Sequence, residues 1–325
     1  MKKKLRIILK LGAVLLLTLT VYVLGMYSYS NESIRTFISS KYLDELRYFN
    51  NMKYISYTNY NLGKKSSPPS LELIIPDSSK QILNTCRSNA LVDNILRNEN
   101  KIEVAAQLVH LSDTFNVRIR LKGDYSDHWI GDKWSYRIKI KGKNRLFGMK
   151  SFSIQAPDTR KNLSEWYFHK LMKREGLIAL RYGFISLNQN GVDKGVYAIE
   201  ESFAKQLIEY NNRREAPILK FDESILIDQT IINQKNTYSQ DELYQMSKID
   251  VFKSKRTLKS ETLYDQYRKG KELLSKLRDN QIPLKEAIDI DKAAKLFAIA
   301  DITNGHHALR WKNVRFYYNP VYKYL

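Results

Sequence analysis

The 325-residue sequence predicts an α+β fold, with a β-rich first half, a helical second half and one apolar helix ahead of both. Three observations predict it. Polar and apolar residues alternate in a series of short segments between residues 71 and 201, whereas residues 238–301 repeat their apolar positions at helical spacing. An uncharged run from Leu11 to Asn31 follows a group of lysines. With 43% hydrophobic and 27% charged residues, the composition excludes wholesale disorder. Thirteen Gly and seven Pro exclude collagen-like and low-complexity classes. The single Cys86 excludes an intrachain disulfide and a cysteine-based zinc centre.

Taken in order, Lys2, Lys3, Lys4, Arg6 and Lys10 precede the apolar run. Counted back to Ile7, that run is long enough to span a hydrocarbon layer of roughly 30 Å at about 1.5 Å per residue. Positive residues on one side only set the N-terminus in the cytoplasm. Residues 1–31 are therefore expected to be a cytoplasmic basic tip and transmembrane signal anchor, and residues 32–70, ending in KKSSPPS, a linker. Residues 71–325 would form an extracytoplasmic domain of a single-pass membrane protein in the cell envelope. A cleaved signal peptide is the rival reading, with Ser28-Tyr29-Ser30 the only small-x-small candidate. Leu71–Ile75 reads as the first strand and 78–98 as a serine-capped helix. The runs IEVAAQLVHL, FNVRIRLKGD, WSYRIKIKG and SFSIQAP read as strands. A helix follows from Asn162 to Arg174, closed by Gly176, and FISLNQNGVDKGVYAIEE reads as a hairpin turning at Asn190-Gly191. SFAKQLIEY and YDQYRKGKELLSKLRD read as helices, and VRFYYNPVYKYL as a closing strand.

The net charge is +20, and ten Lys/Arg against three Asp lie between Val117 and Lys150. Arg118, Arg120 and Lys122 alternate with apolar residues on one strand, as do Arg137, Lys139 and Lys141 on the next. Each basic set therefore shares one face. Such a face either binds phosphate or is the solvated outside of a half-exposed sheet. Like charges on adjacent strands repel unless an anion or acids from elsewhere sit among them. Other chemistries lack their local patterns: there is no HExxH, GxSxG or GxxxxGK[ST]. Glu200-Glu201 sits at a strand-to-helix junction, where it can pair with a phosphate-handling Lys or favour a helix N-terminus. Asp301 and Asn313 carry ligand chemistry that suits Mg²⁺, and capping explains them equally well.

The segments RLKGDYSDHW, DKWSYRIKIKGKNRLFGMKSFSIQAP, NGVDKGVYAIEESF and ITNGHHALRWKNVRFYYNP, in that order, resemble the spore-coat-protein-H (CotH) kinase family from about Val117 onward. The resemblance implies an atypical protein-kinase-like fold over residues 71–325 that uses ATP and Mg²⁺ to phosphorylate exported or surface proteins. It implies nucleotide contacts from Arg120, Lys122, Arg137, Lys139 and Lys220, and a Lys-orienting role for Glu201. It implies a metal ligand at Asn313. The family's catalytic Asp precedes that Asn by a few residues; here His307 and Ala308 stand there and the nearest Asp is Asp301, so Asp301 and His307 are the catalytic candidates and Asp301 the second metal candidate. The family's further metal-binding Asp, in a Trp-Asp-x-Asp-like stretch, has no counterpart up to Leu325, so the domain is expected to be truncated at its C-terminus or to be a non-catalytic relative. The competing reading is a non-catalytic basic envelope module that binds anionic surface polymers. Nucleic acid is not an expected partner.

Overall fold

A computed structural model describes residues 2–30, 67–233 and 238–325. The linker expected at 32–70 lies outside the described residues up to residue 66. The chain divides into two units, Met1–Ser67 and Pro68–Leu325.

The first unit contains helix α1 (Lys2–Ser30). Among the described residues no helix is long and apolar enough to cross a membrane. This overturns the expected transmembrane signal anchor, the single-pass membrane localisation built on it and the membrane contact that this helix was to make. The reason is compositional. Five basic residues occupy the first ten positions, and Gly12, Thr18, Thr20, Tyr22, Gly25 and Tyr27 interrupt the apolar run that follows. A spanning helix needs roughly 20 predominantly apolar residues.

The second unit is built on a closed seven-stranded barrel, ordered β1-β2-β3-β4-β5-β7-β6. Its strands are β1 (Ser70–Ile74), β2 (Val104–His110), β3 (Asp113–Leu121), β4 (Tyr136–Ile140), β5 (Ser151–Gln155), β6 (Tyr182–Gln189) and β7 (Val192–Glu201). Alternation at period two sends one set of side chains inward. Val117, Ile119, Leu121, Ile138, Ile140, Phe152, Ile154, Ile185 and Leu187 are all buried, with Trp129, Tyr136 and Tyr197 filling the widest spaces. The β6–β7 hairpin turns at Asn190-Gly191, both at positive φ (51° and 81°), the conformation a tight two-residue turn requires. Closure comes from β1 lying parallel to β6, Ser70 opposite Ser186 through Leu73 opposite Gln189. The Asn190 side chain clips the end of β1, accepting from Ile75 N and donating to Ile75 O, both at 2.7 Å. Helix α2 (Asp77–Asp93) packs Leu83, Cys86 and Ala90 into the same core.

The expected sequence of a β-rich half followed by a helical half, after a transmembrane helix, is thus corrected in two ways: the strands close into a barrel, and the helical region carries a sheet of its own. That sheet has the order β10-β8-β9, from β8 (Ile218–Phe221), β9 (Ile249–Val251) and β10 (Arg315–Tyr317). The remaining helices of this unit are α3 (Ser164–Arg174), α4 (Lys205–Tyr210), α5 (Ser224–Asn233), α6 (Gln240–Met246), α7 (Ser254–Thr257), α8 (Glu261–Arg278), α9 (Leu284–Ala287) and α10 (Ile290–Thr303). Leu219, Phe221 and Ile249 of the sheet pack with Leu274 of α8 and with Tyr318. A third cluster joins α3 to α10 through Phe168, Ile299 and Ala300. Gly305, just past α10, lies so close to α3 that a Cβ there would meet the Phe168 ring at 2.9 Å, which keeps the 306–309 turn against α3.

Candidate functional site

The barrel register builds a row of side chains on its outer wall. Arg120 on β3 lies opposite Arg137 on β4, then come Ser153 on β5, Glu200 on β7 and Tyr182 on β6. The residues flanking this row on β3, β4 and β5 are buried and hydrophobic (Ile119, Leu121, Tyr136, Ile138, Phe152 and Ile154), so the row faces away from the barrel core. The row is nonetheless partly covered: Ser153 is buried, and Arg120, Arg137 and Glu200 are half-buried.

Lys122, just past β3, donates to Glu200 Oε2 at 2.5 Å and to Gln155 Oε1 at 2.7 Å. Burial pulls the Lys122 ammonium below its usual range, and Glu200 offsets part of that. Burial alone would raise Glu200, but Lys122 and then Arg137 and Arg160 reverse it and hold the carboxyl down to about 2. Arg137 donates through Nη1 to Ser202 Oγ at 2.5 Å, while its Nε is buried without a partner among the described residues. Arg315 on β10 lies over the rings of Phe203 and Phe252, at 5.5 and 5.3 Å, and donates to the carbonyls of Lys312 and Val314. Its Nε is also buried and, among the described residues, unpartnered, and burial lowers its pKa to about 10. Arg160 pairs with Glu165 at 3.2 Å, and Glu165 stands 3.8 Å from His169. The positive charge of Arg160 also reaches His128, which burial, then Arg160, lowers to about 4. Several cations therefore surround one carboxylate, Glu200. Buried donors without partners, as on Arg137 and Arg315, are costly unless an acceptor meets them. The chemistry such a cluster offers is binding of a multiply charged anion.

The residues singled out in the sequence separate into three groups. Lys122 and Arg137 join the cluster described above, with Arg120 beside Arg137 in register. Glu201 holds Arg181, accepting from Arg181 Nε at 2.9 Å, from Arg181 N at 3.2 Å and from Nη2. Its neighbour Glu200 takes Lys122. Lys220 on β8 stands 3.8 Å from Asp222 and 5.8 Å from the Phe252 ring that also carries Arg315. Lys139 is exposed, opposite Arg118. His307 and Asn313 are brought together: the Asn313 amide donates to His307 O at 2.8 Å and meets His307 Nε2 at 3.1 Å. An amide nitrogen can only donate, so Nε2 accepts and the ring carries its proton on Nδ1. Burial first, and then Arg160, Arg310 and Lys312, pull the His307 imidazole below its usual range. Asp301 is exposed and lies 3.6 Å from His306 instead.

Asp301 and Asn313 thus engage different neighbours, and among the described residues no three His, Cys, Asp or Glu side chains converge on a metal position. Arg160 and Arg315 were not singled out by sequence reasoning. Arg315 sits in the aromatic strand VRFYYNP, whose alternation could have marked it; Arg160, in the turn Pro157–Arg160, has no local pattern.

A family model described as CotH kinase protein matches residues 119–320, more than half of the chain, from the middle of β3 to just past β10. No curated protein matches the chain.

Proposed function

The chain belongs to the CotH kinase protein family, and on that premise we propose that the outer-wall cluster holds the phosphates of ATP for transfer of the terminal phosphoryl group to a protein hydroxyl. The family is kinase-like and uses ATP and metal in general. The observation that carries the finer reading is the pair of buried, unpartnered guanidinium nitrogens, Arg137 Nε and Arg315 Nε, near the Lys122–Glu200 ion pair. Phosphoryl transfer proceeds through a loose transition state in which positioning and neutralisation of the equatorial oxygens dominate. Lys122 supplies a point charge, fixed by Glu200 and Gln155. Arg137 and Arg315 supply planar donors that suit phosphate oxygens. Arg160 extends the positive field toward His307. With Nε2 occupied by Asn313, His307 offers an N–H to an incoming oxygen rather than a base, which makes it a positioning group.

The test is phosphoryl transfer from γ-phosphate-labelled ATP, followed as ADP release and as label on added protein acceptors. Lys122→Met and Arg315→Gln are expected to reduce both signals at least tenfold while the fold is retained by circular dichroism. Transfer that is indifferent to both substitutions sinks the proposal.

A further inference from the structure

Beyond the nucleotide cluster, the same two strands continue outward with charges that no acid neutralises among the described residues. Arg118 stands opposite Lys139, one rung beyond Arg120 opposite Arg137. Lys141 extends the ladder, its backbone N–H donating to Asn116 O at 2.9 Å. Arg118, Lys139 and Lys141 are all exposed. Lys253, at the start of α7, adds a fourth cation in electrostatic contact with Arg137 and Lys139, and its backbone is left-handed (φ 57°), unusual for a lysine. Among the described residues none of these four has a carboxylate within ion-pair distance; the acid that reaches Lys253 electrostatically is Glu103. Directly opposed like charges destabilise a sheet. Here they are stacked on successive rungs and left open to solvent.

We infer that this outer ladder is the docking track for an acidic, extended segment of the phosphoacceptor protein, an inference that rests on the nucleotide reading of the neighbouring cluster. Spacing identifies the partner as a peptide. Side chains two residues apart on a strand repeat every 6.6 Å or so, and an extended peptide with acidic residues at alternate positions presents its carboxylates at that same repeat. Charge complementarity supplies specificity and speeds encounter, and the track runs along β3 and β4 into the rung that holds Arg137.

The probe is a labelled synthetic peptide alternating Glu and Ser, compared with its Gln-Ser counterpart, in fluorescence anisotropy on the full chain. The Glu peptide is expected to bind about tenfold more tightly, with affinity falling as salt rises. Arg118→Glu with Lys141→Glu is expected to abolish that preference, and the milder Arg118→Gln with Lys141→Gln to halve it or more, with ATP binding by calorimetry unchanged within about twofold. Equal binding of the two peptides, or an unaltered preference in both variants, overturns the inference. So does an anionic glycan such as heparin displacing the peptide while the peptide shows no sequence preference. Loss of ATP binding in the unmodified protein is the separate failure of the nucleotide reading, because peptide binding is scored without nucleotide.

Discussion

The two ends of the β3–β4 ladder carry the same residue types on the same strands in opposite surroundings. At one end Lys122 is buried against Glu200 and Gln155, and Arg137 reaches Ser202. At the other, Arg118 and Lys139 face each other in solvent with no acid beside them among the described residues. Period-two alternation places both sets on the outer wall; what differs is whether other elements cover that wall. Cover converts a charge from a diffuse attraction into a positioned group whose energy depends on its partner.

The sharpest way to break this contrast is to remove a partner at each end. Glu200→Ala leaves the Lys122 ammonium buried and unpaired and is expected to cost about 3–5 kcal/mol in urea unfolding. Replacing the pair together, Lys122→Met with Glu200→Leu, is expected to recover most of that stability and still fail to bind ATP, which separates fold from function. Arg315→Gln is expected to weaken ATP binding at least tenfold in calorimetry, with more salt-sensitive binding retained.

The covered end should also be the acid-sensitive one. Glu200 has a depressed pKa, so its contribution is fully present above the unfolded carboxyl value of 4.5 and is lost as pH falls toward about 2. His128 is likewise depressed, from 6.5 to about 4, because burial and nearby Arg160 oppose its protonation; its contribution fades as pH falls across that window. Stability in urea is therefore expected to decline in two stages on acidification, and His128→Gln to remove the stage between 6.5 and 4. At the open end, Lys139→Gln is expected to change stability by no more than about 0.5 kcal/mol at any pH.

Much of the barrel was readable because its strands alternate cleanly and Asn190-Gly191 marks its hairpin. Closure was not, since parallel pairing of β1 with β6 joins segments more than a hundred residues apart and leaves no local trace. The short strands β8 and β9 were hidden among helices, where four or fewer residues carry too little periodicity to register. In the site, Lys122 and Arg137 followed from alternation, whereas the choice between Glu200 and Glu201 turned on one residue of register. Adjacent strand residues face opposite sides, so Glu200 meets Lys122 across the outer wall and Glu201 turns to Arg181. Arg160 comes from a turn whose position only the fold determines.

On the proposed reading, phosphate and not the base is what the outer-wall cluster grips. Calorimetric titration with adenosine, AMP, ADP and ATP tests it most directly. Affinity is expected to rise with each added phosphate, with adenosine bound weakest, and the rise to flatten in Arg137→Gln. Adenosine binding as tightly as ATP, or no dependence of ATP affinity on Arg137, would contradict it.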